Sequence, residues 1–454
     1  MSQKKRRLAR TVLRAAAFLF LCASVGYAQT PAHVPVVLIS IDGLKPEYVL
    51  EADARGLKIP NLRRFVREGA YASGVHGVIP TVTYPSHTTL VTGASPAANG
   101  IHANTTFDPL GKNQGGWYWY AEDIRVPTLW DAAHAAHLTT ANVHWPVTVA
   151  APIDWSLPQY WRTGTPDDRK LLRVTATPGL LEQLERELGP YADGIDESIA
   201  GDENRAKFAA RLIELKRADF TLVYLTALDH AQHESGPFSE EAKATLERID
   251  AALGGILEAA NRAYGGRVVV AVASDHGFAQ TEKALQLGVA FRKAGLIEFD
   301  EKEKITGWKG MIWASGGSAA IVLKDAKDVA TRQKVDSLLV KLAADPANGI
   351  ARVVPEEELH LRGGFPEAQW LVALKPGYTV GERTSGPLVT KAGGGTHGYW
   401  PDFAEMNSSF FVMGPGIGAG KALGEIDMRS IAPTLARFLG VELPAAEKPP
   451  LAVQ

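Results

Sequence analysis

Carboxylates and imidazoles recur in this sequence in short contexts that suit metal binding. Asp42 lies in Ser-Ile-Asp-Gly, Asp229 and His233 in Leu-Asp-His-Ala-Gln-His, Asp275 and His276 in Ser-Asp-His-Gly, and His397 in Gly-Gly-Gly-Thr-His-Gly-Tyr. His233 follows Asp229 by four positions, a spacing that puts both side chains on one helix face and aims them at one ion. Gly277 frees the backbone to present Asp275 and His276 together, and the glycines before His397 let an imidazole approach a metal closely. Nitrogen and carboxylate donors in this mixture favour zinc over magnesium or calcium. Any one of these residues alone reads equally as a cap or a satisfied polar group, so the metal reading rests on their joint occurrence.

A nucleophile is offered by the segment Ile79 to Leu90, Ile-Pro-Thr-Val-Thr-Tyr-Pro-Ser-His-Thr-Thr-Leu, which reads as a turn feeding a helix whose start is marked by Pro85. A hydroxyl at that start meets unpaired backbone N–H groups and positive dipole potential, which favour an alkoxide and bind phosphate oxygens. An adjacent metal lowers its pKa further. Thr83 is placed to be activated both ways, although taken by itself it reads as a helix cap. His76, His134, His137, His144 and His360 lack such company and read as surface or packing histidines.

The elements that must position these groups follow from hydrophobic patterning. Short apolar runs alternate with longer helical patterns, which predicts a mainly parallel sheet covered by helices on both faces. Val36–Ile41, Phe220–Leu225 and Val268–Ala273 are the clearest buried strands, and Asp42, Asp229 and Asp275 stand at or just beyond their carboxyl ends. Ligands of open α/β sheets bind at that edge. Helical periodicity is strongest over Asp202–Ala218, Ser239–Tyr264 and Ala326–Ala344, with a last helix near Met428–Leu439. Phe107–Asp123, rich in Gly, Trp and Tyr, and Ile305–Thr384, with its Gly-Gly breaks, fit the alternation poorly. They are expected to be insertions over the sheet edge, around residues 105–125 and 290–390.

The chain opens with six basic residues and no acidic ones, then an apolar run from Ala15 to Ala23 and small residues at Gly26 and Ala28. These are the three parts of a cleaved secretory signal, so residues 1–28 are expected to be removed and residues 29–454 to form one exported, periplasmic or secreted, catalytic domain. The apolar run is far shorter than the roughly 20 residues of a membrane-spanning helix. Cys22, the single cysteine, falls inside the signal; disulfides and thiolate metal sites are thereby excluded from the expected mature chain. Loss of the basic leader takes the net charge to about −8, which does not attract nucleic acid or anionic lipid over long range.

Together these blocks resemble the nucleotide pyrophosphatase/phosphodiesterase family of the alkaline phosphatase superfamily, from about Val36 to the stretch between Asp427 and Pro444. The resemblance implies an alkaline-phosphatase-like α/β core and two zinc ions per chain, one bound by Asp42, Asp275 and His276 and the other by Asp229, His233 and His397. It makes Thr83 the residue that attacks phosphorus and bridges toward the metal. It makes Asn104, in Gly-Ile-His-Ala-Asn, the hydrogen-bond donor to a phosphoryl oxygen, and Tyr224 an aromatic that stacks on a nucleoside. Ser86 departs from the family, which has Asn after the proline. A sulfatase would need a Cys or Ser within Cys-x-Pro-x-Arg, and Thr83-Tyr84-Pro85-Ser86-His87 stands there instead.

The expected reaction is hydrolysis of a phosphodiester or nucleotide pyrophosphate bond, through in-line attack by Thr83 and a phosphothreonine intermediate that water then cleaves. Phosphonoacetate-type C–P hydrolysis and phosphomonoester hydrolysis are the alternatives on the same ligand set, and a non-catalytic zinc- or ligand-binding protein is the rival of another class. Trp117, Tyr118, Trp119 and Tyr120 offer a floor for a base or sugar and equally a packing role within the insertion.

Overall fold

A computed structural model describes residues 33–454; the expected signal peptide lies outside the described residues. A central sheet of eight strands is built from β1 (Val36–Ile41), β2 (Ala70–Tyr71), β3 (Thr140–Val143), β4 (Trp155–Leu157), β5 (Phe220–Leu225), β6 (Val269–Ala273), β7 (Phe410–Met413) and β8 (Lys421–Ala422). Their order is β8-β2-β7-β6-β1-β5-β3-β4. Only β7 runs against the rest. The expectation of a largely parallel sheet is met, and β1, β5 and β6 are buried along their whole length, as strands covered on both faces must be.

The covering helices are α1 (Pro60–Glu68), α2 (Thr83–Thr92), α3 (Leu129–Ala135), α4 (Ile199–Lys216), α5 (Ala227–Ser235), α6 (Glu240–Tyr264) and α7 (Ile431–Leu439). Alternate residues of β1 divide the core. Val37, Ile39 and Ile41 pack with Phe65 of α1, Leu212 of α4 and Leu253 of α6. Val36 and Leu38 pack with Leu90 of α2, Trp130 of α3 and Leu435 of α7. Such period-two sorting is what a strand sandwiched between two helical layers requires.

Helix boundaries differ from the periodicity where capping decides them. Ser198 accepts a hydrogen bond from Gly201 N–H at 3.1 Å, so α4 starts three residues before the expected Asp202. Ser239 caps α6 in the same way through Ala242, and Asp328 caps the helix Val329–Ala344 through Thr331. An N-cap hydroxyl or carboxylate satisfies a backbone donor that has no partner within the helix.

Between β6 and β7 the chain builds two further sheets. Gly310–Ala314, Ser318–Leu323, Trp370–Leu374 and Ile350–Pro355 form a four-stranded antiparallel sheet. It packs with Val329–Ala344 around its own core, which includes Ile321, Val335, Leu339 and Val372. Ala279–Leu285, which leaves directly from the end of β6, pairs with Gly377–Val380, Val389–Lys391 and Gly395–Thr396.

Candidate active site at the sheet edge

Register places the three strand ends flush. Val36–Ile41 pair with Phe220–Leu225, and Ser40 lies opposite Ala273. Asp42 is therefore the first residue beyond β1, Asp275 the second beyond β6, and Asp229 sits in the first turn of α5, just after β5. His233 follows one turn later on the same helix. His397 arrives from far along the sequence because Gly395 and Thr396 pair with Gln280 and Ala279. That approach needs glycine: at Gly394, with φ +68°, a Cβ would stand 1.9 Å from His233 O, and at Gly398, with φ +82°, it would stand 1.7 Å from Ser315 O.

Six side chains from these elements converge. Nε2 of His276 lies 3.3 Å from Asp42 Oδ1 and 3.2 Å from Asp275 Oδ2. Nε2 of His233 lies 3.3 Å from Asp229 Oδ2, and that of His397 lies 3.7 Å from Asp229 Oδ1. The rings of His276 and His397 stack, 3.7 Å between centroids. Asp42, Asp275 and His276 form one compact donor group, and Asp229, His276 and His397 a second that shares His276. The first group is buried, whereas Asp229 and His233 lie toward solvent, so the site is entered from their side.

The backbone fixes which imidazole nitrogen faces the cluster. Nδ1 lies 3.0 Å from Gly395 O in His233, 3.1 Å from Gly277 O in His276 and 3.2 Å from Thr81 O in His397. A carbonyl only accepts, so each Nδ1 carries a proton and, in the neutral ring, each Nε2 presents a bare lone pair to carboxylate oxygens. Asp42 Oδ1, Asp229 Oδ1, Asp275 Oδ2 and His276 Nε2 are buried without a hydrogen-bond partner among the described residues. Lone pairs aimed at lone pairs in a buried site call for cations between them, and the second-shell carbonyls hold the rings as metal ligands are held. The residues present fit divalent metal.

The electrostatics agree. Burial and then the charges of Asp275 and Asp229 push Asp42 well above the usual carboxylate range. Burial and Asp229 raise Asp275 to about 7. Burial lowers His397 to about 4 and, with the charge of His397, holds His276 well below the ordinary imidazole value. Burial also opposes charge on His233, but the adjoining Asp229 carboxylate overrides it and lifts the imidazole to about 9. Without a cation, the site must hold protons in place of positive charge.

Thr83 is the first residue of α2, two positions earlier than Pro85 suggested, and 8% exposed. Proline tolerates that placement because N–H groups of the first turn have no intrahelical acceptor. One of them is already taken: Tyr84 N–H donates to Asn104 Oδ1 at 2.9 Å. This orients the Asn104 amide and leaves its Nδ2 as the free donor. The link from Thr83 to the carboxylates is His87, one turn along α2 on the same face. Its Nδ1 lies 2.8 Å from Thr83 O and 3.6 Å from Asp275 Oδ2, and its Nε2 lies 2.8 Å from Ser40 Oγ. Sequence reasoning gave His87 no role, although its i+4 spacing from Thr83 is the same signal that linked His233 to Asp229.

Tyr224 is corrected by the structure. It is 3% exposed, its ring lies edge-on to His87 and stacked on His144, and its hydroxyl donates to Asp42 Oδ2. No open face is left on which to stack a nucleoside. Tyr224 lies opposite Ser40 in the β1–β5 register, two residues before Asp42, and this brings its hydroxyl to the carboxylate. His144, read as a packing residue, is the buried floor under that ring, and its Nε2 lies 3.3 Å from Gln159 Nε2.

A site of metal-binding character beside a helix-start hydroxyl, on the carboxyl edge of such a sheet, is shared with known proteins. The sequence profile described as "Type I phosphodiesterase / nucleotide pyrophosphatase" matches residues 36–400, and the chain belongs to that family. Ectonucleotide pyrophosphatase/phosphodiesterase family member 3 of Mus musculus is 25% identical over 414 residues, covering 87% of this chain and 41% of that protein. Venom phosphodiesterase of Naja atra is 23% identical over 416 residues, covering 87% and 43%. The chain thus spans about two-fifths of the length of these relatives. The solved structure of murine ectonucleotide pyrophosphatase/phosphodiesterase 5, in an inactive threonine-to-alanine form in complex with AMP, shares the fold with a TM-score of 0.64. It is 20% identical and covers 92% of this chain and 97% of that one.

Proposed function

We propose that this protein is a zinc-dependent phosphoric ester hydrolase that cleaves a phosphodiester or nucleotide pyrophosphate bond through a phosphothreonine at Thr83. The observation that carries the reading is the set of buried, unpartnered carboxylate and imidazole atoms gathered one helical turn from Thr83. Membership of the family and the names of its phosphodiesterase relatives support the choice of a diester.

Asp42, Asp275 and His276 would hold one zinc ion, and Asp229, His233 and His397 the other. Zinc bound there supplies positive charge for the attacking and leaving oxygens and lowers the pKa of the Thr83 hydroxyl. The chain's own groups do the rest. The α2 N-terminus favours negative charge on Thr83 Oγ1, and Asn104 Nδ2, held by the bond from Tyr84 N–H to its carbonyl, donates to a phosphoryl oxygen as charge builds. Carbonyls of Gly277, Gly395 and Thr81 keep the three imidazoles in the tautomer that presents Nε2. The basic, apolar leader supports export, and no described helix is long and apolar enough to cross a membrane.

The deciding experiment compares hydrolysis of a chromogenic diester, a monoester and phosphonoacetate by the purified zinc-loaded protein and its Thr83→Ala variant. The diester should be the best substrate and the variant should lose turnover. Equal rates for variant and parent would remove Thr83 from the nucleophile role.

A further inference from the structure

Resting on the diesterase reading, one question is where the organic group attached to phosphorus lies. Two rings stand nearest the chemistry, and both are committed. Tyr224 is enclosed and bonded to Asp42. Tyr84, next to Thr83, is 1% exposed and donates its hydroxyl to Gln159 Oε1 at 2.9 Å.

A third aromatic group is anchored to the phosphoryl donor itself. The insertion leaves the chain immediately after Asn104 and returns to it: Thr105 bridges Trp117, Thr106 N–H donates to Gly116 O at 2.9 Å, and Tyr118 N–H donates to Asn104 O at 3.1 Å. Trp117 and Tyr118 are therefore held about one strand spacing, ~5 Å, from the Asn104 backbone. Trp161, from the segment after β4, packs on Trp117 at 5.1 Å between centroids, and Trp117 in turn meets Tyr84 at 5.1 Å. Trp119 and Tyr160 form the buried backing of the group. Trp117, Tyr118 and Trp161 stay partly exposed, although each has the size and apolarity of a core residue. Three such rings left in contact with water beside a reaction centre form a stacking surface for a flat partner.

We infer that Trp117 and Trp161, with Tyr118, form the subsite for the planar aromatic moiety of the substrate, a nucleobase or aryl group, in place of Tyr224. Stacking of this kind tolerates any base, since every base has a π-face. Trp117 and Trp161 thus act as specificity-determining residues and take no part in the bond-breaking step.

The test measures binding apart from turnover. Zinc-loaded Thr83→Ala protein is titrated calorimetrically with AMP and with ribose 5-phosphate, which shares the sugar and phosphate but lacks the base. AMP should bind about tenfold more tightly or better. Trp117→Ala and Trp161→Ala should each abolish that advantage while leaving ribose 5-phosphate affinity unchanged, and Trp117→Phe should keep most of it. Equal affinity for the two ligands, absence of binding by either, or a parallel loss of both in the alanine variants would overturn the subsite. Hydrolysis of thymidine 5′-p-nitrophenyl phosphate by the parent protein is scored separately. A protein that binds AMP selectively but cleaves no phosphoester supports the subsite and defeats the proposed activity.

Discussion

The imidazoles of His276 and His397 lie 3.7 Å apart and 12° from parallel, with both Nδ1 atoms turned to backbone carbonyls and both Nε2 atoms facing carboxylates. Two stacked rings cannot both carry charge at that distance, and burial keeps both neutral. Neutral rings with their lone pairs directed inward are preset for metal. His276→Ala, which removes the donor shared by both carboxylate groups, should therefore reduce zinc content more than His233→Ala, whose residue sits at the open edge. Elemental analysis of the two variants checks this, and equal losses would count against the shared position.

Metal-free protein should become less stable as pH rises from about 7 to 9. His233 keeps its proton up to about 9 in the folded chain, whereas an unfolded histidine releases it near ~6.5. The folded state binds more protons across that window, so its advantage is lost as pH passes through it. Asp275, raised to about 7, adds the same trend on the acid side of the window. Buried His87, His276 and His397 have lower folded values and contribute no slope above pH 7. Zinc, which binds deprotonated ligands, should flatten the profile. Thermal denaturation with and without chelator reads the effect, and a metal-free Tm that rises from pH 7 to 9 would contradict it.

Asn104→Ala should lower kcat by roughly 100-fold, the scale of losing one oxyanion donor. It also strips Tyr84 N–H of its acceptor, so Tm should fall by an amount corresponding to about 1–3 kcal/mol. Asn104→Asp keeps the acceptor but replaces the donating amide by a negative carboxylate. Its stability should recover while its rate does not. Recovery of both would detach Asn104 from catalysis.

Tyr224→Phe keeps the ring between His87 and His144 and removes only the donor to Asp42. Loss of an outer hydrogen bond to a metal ligand typically weakens affinity 10- to 100-fold. A competition titration against a chelating dye should show a shift of about that size. An unchanged zinc affinity would leave Tyr224 as packing alone.

Much of this arrangement was readable in the residues. β1 and β5 have the boundaries their apolar runs suggested, because a strand buried on both faces must be apolar throughout and ends where polar residues begin. The six carboxylate and imidazole positions were legible from strand ends, one i+4 pair and glycine contexts. What escaped depends on register or on contacts between distant segments. The bond from Tyr224 to Asp42 follows from Tyr224 lying opposite Ser40, which no local pattern reveals. The contacts of Gln159 with Tyr84 and His144 join segments that share no sequence signal. Helix starts were missed by a few residues where a single Ser or Asp side chain, not periodicity, sets the first turn.

The strand Ala279–Leu285 begins three residues beyond His276 and pairs with Gly395–Thr396, immediately before His397. The long excursion between them is thus clamped at its base like a bag with a drawstring. Residues inside it can be lengthened, shortened or exchanged without moving either histidine, since closure is set by the clamp and depends only weakly on contour length. Evolution and protein engineers alike have here a module for altering what reaches the metals while leaving their coordination untouched.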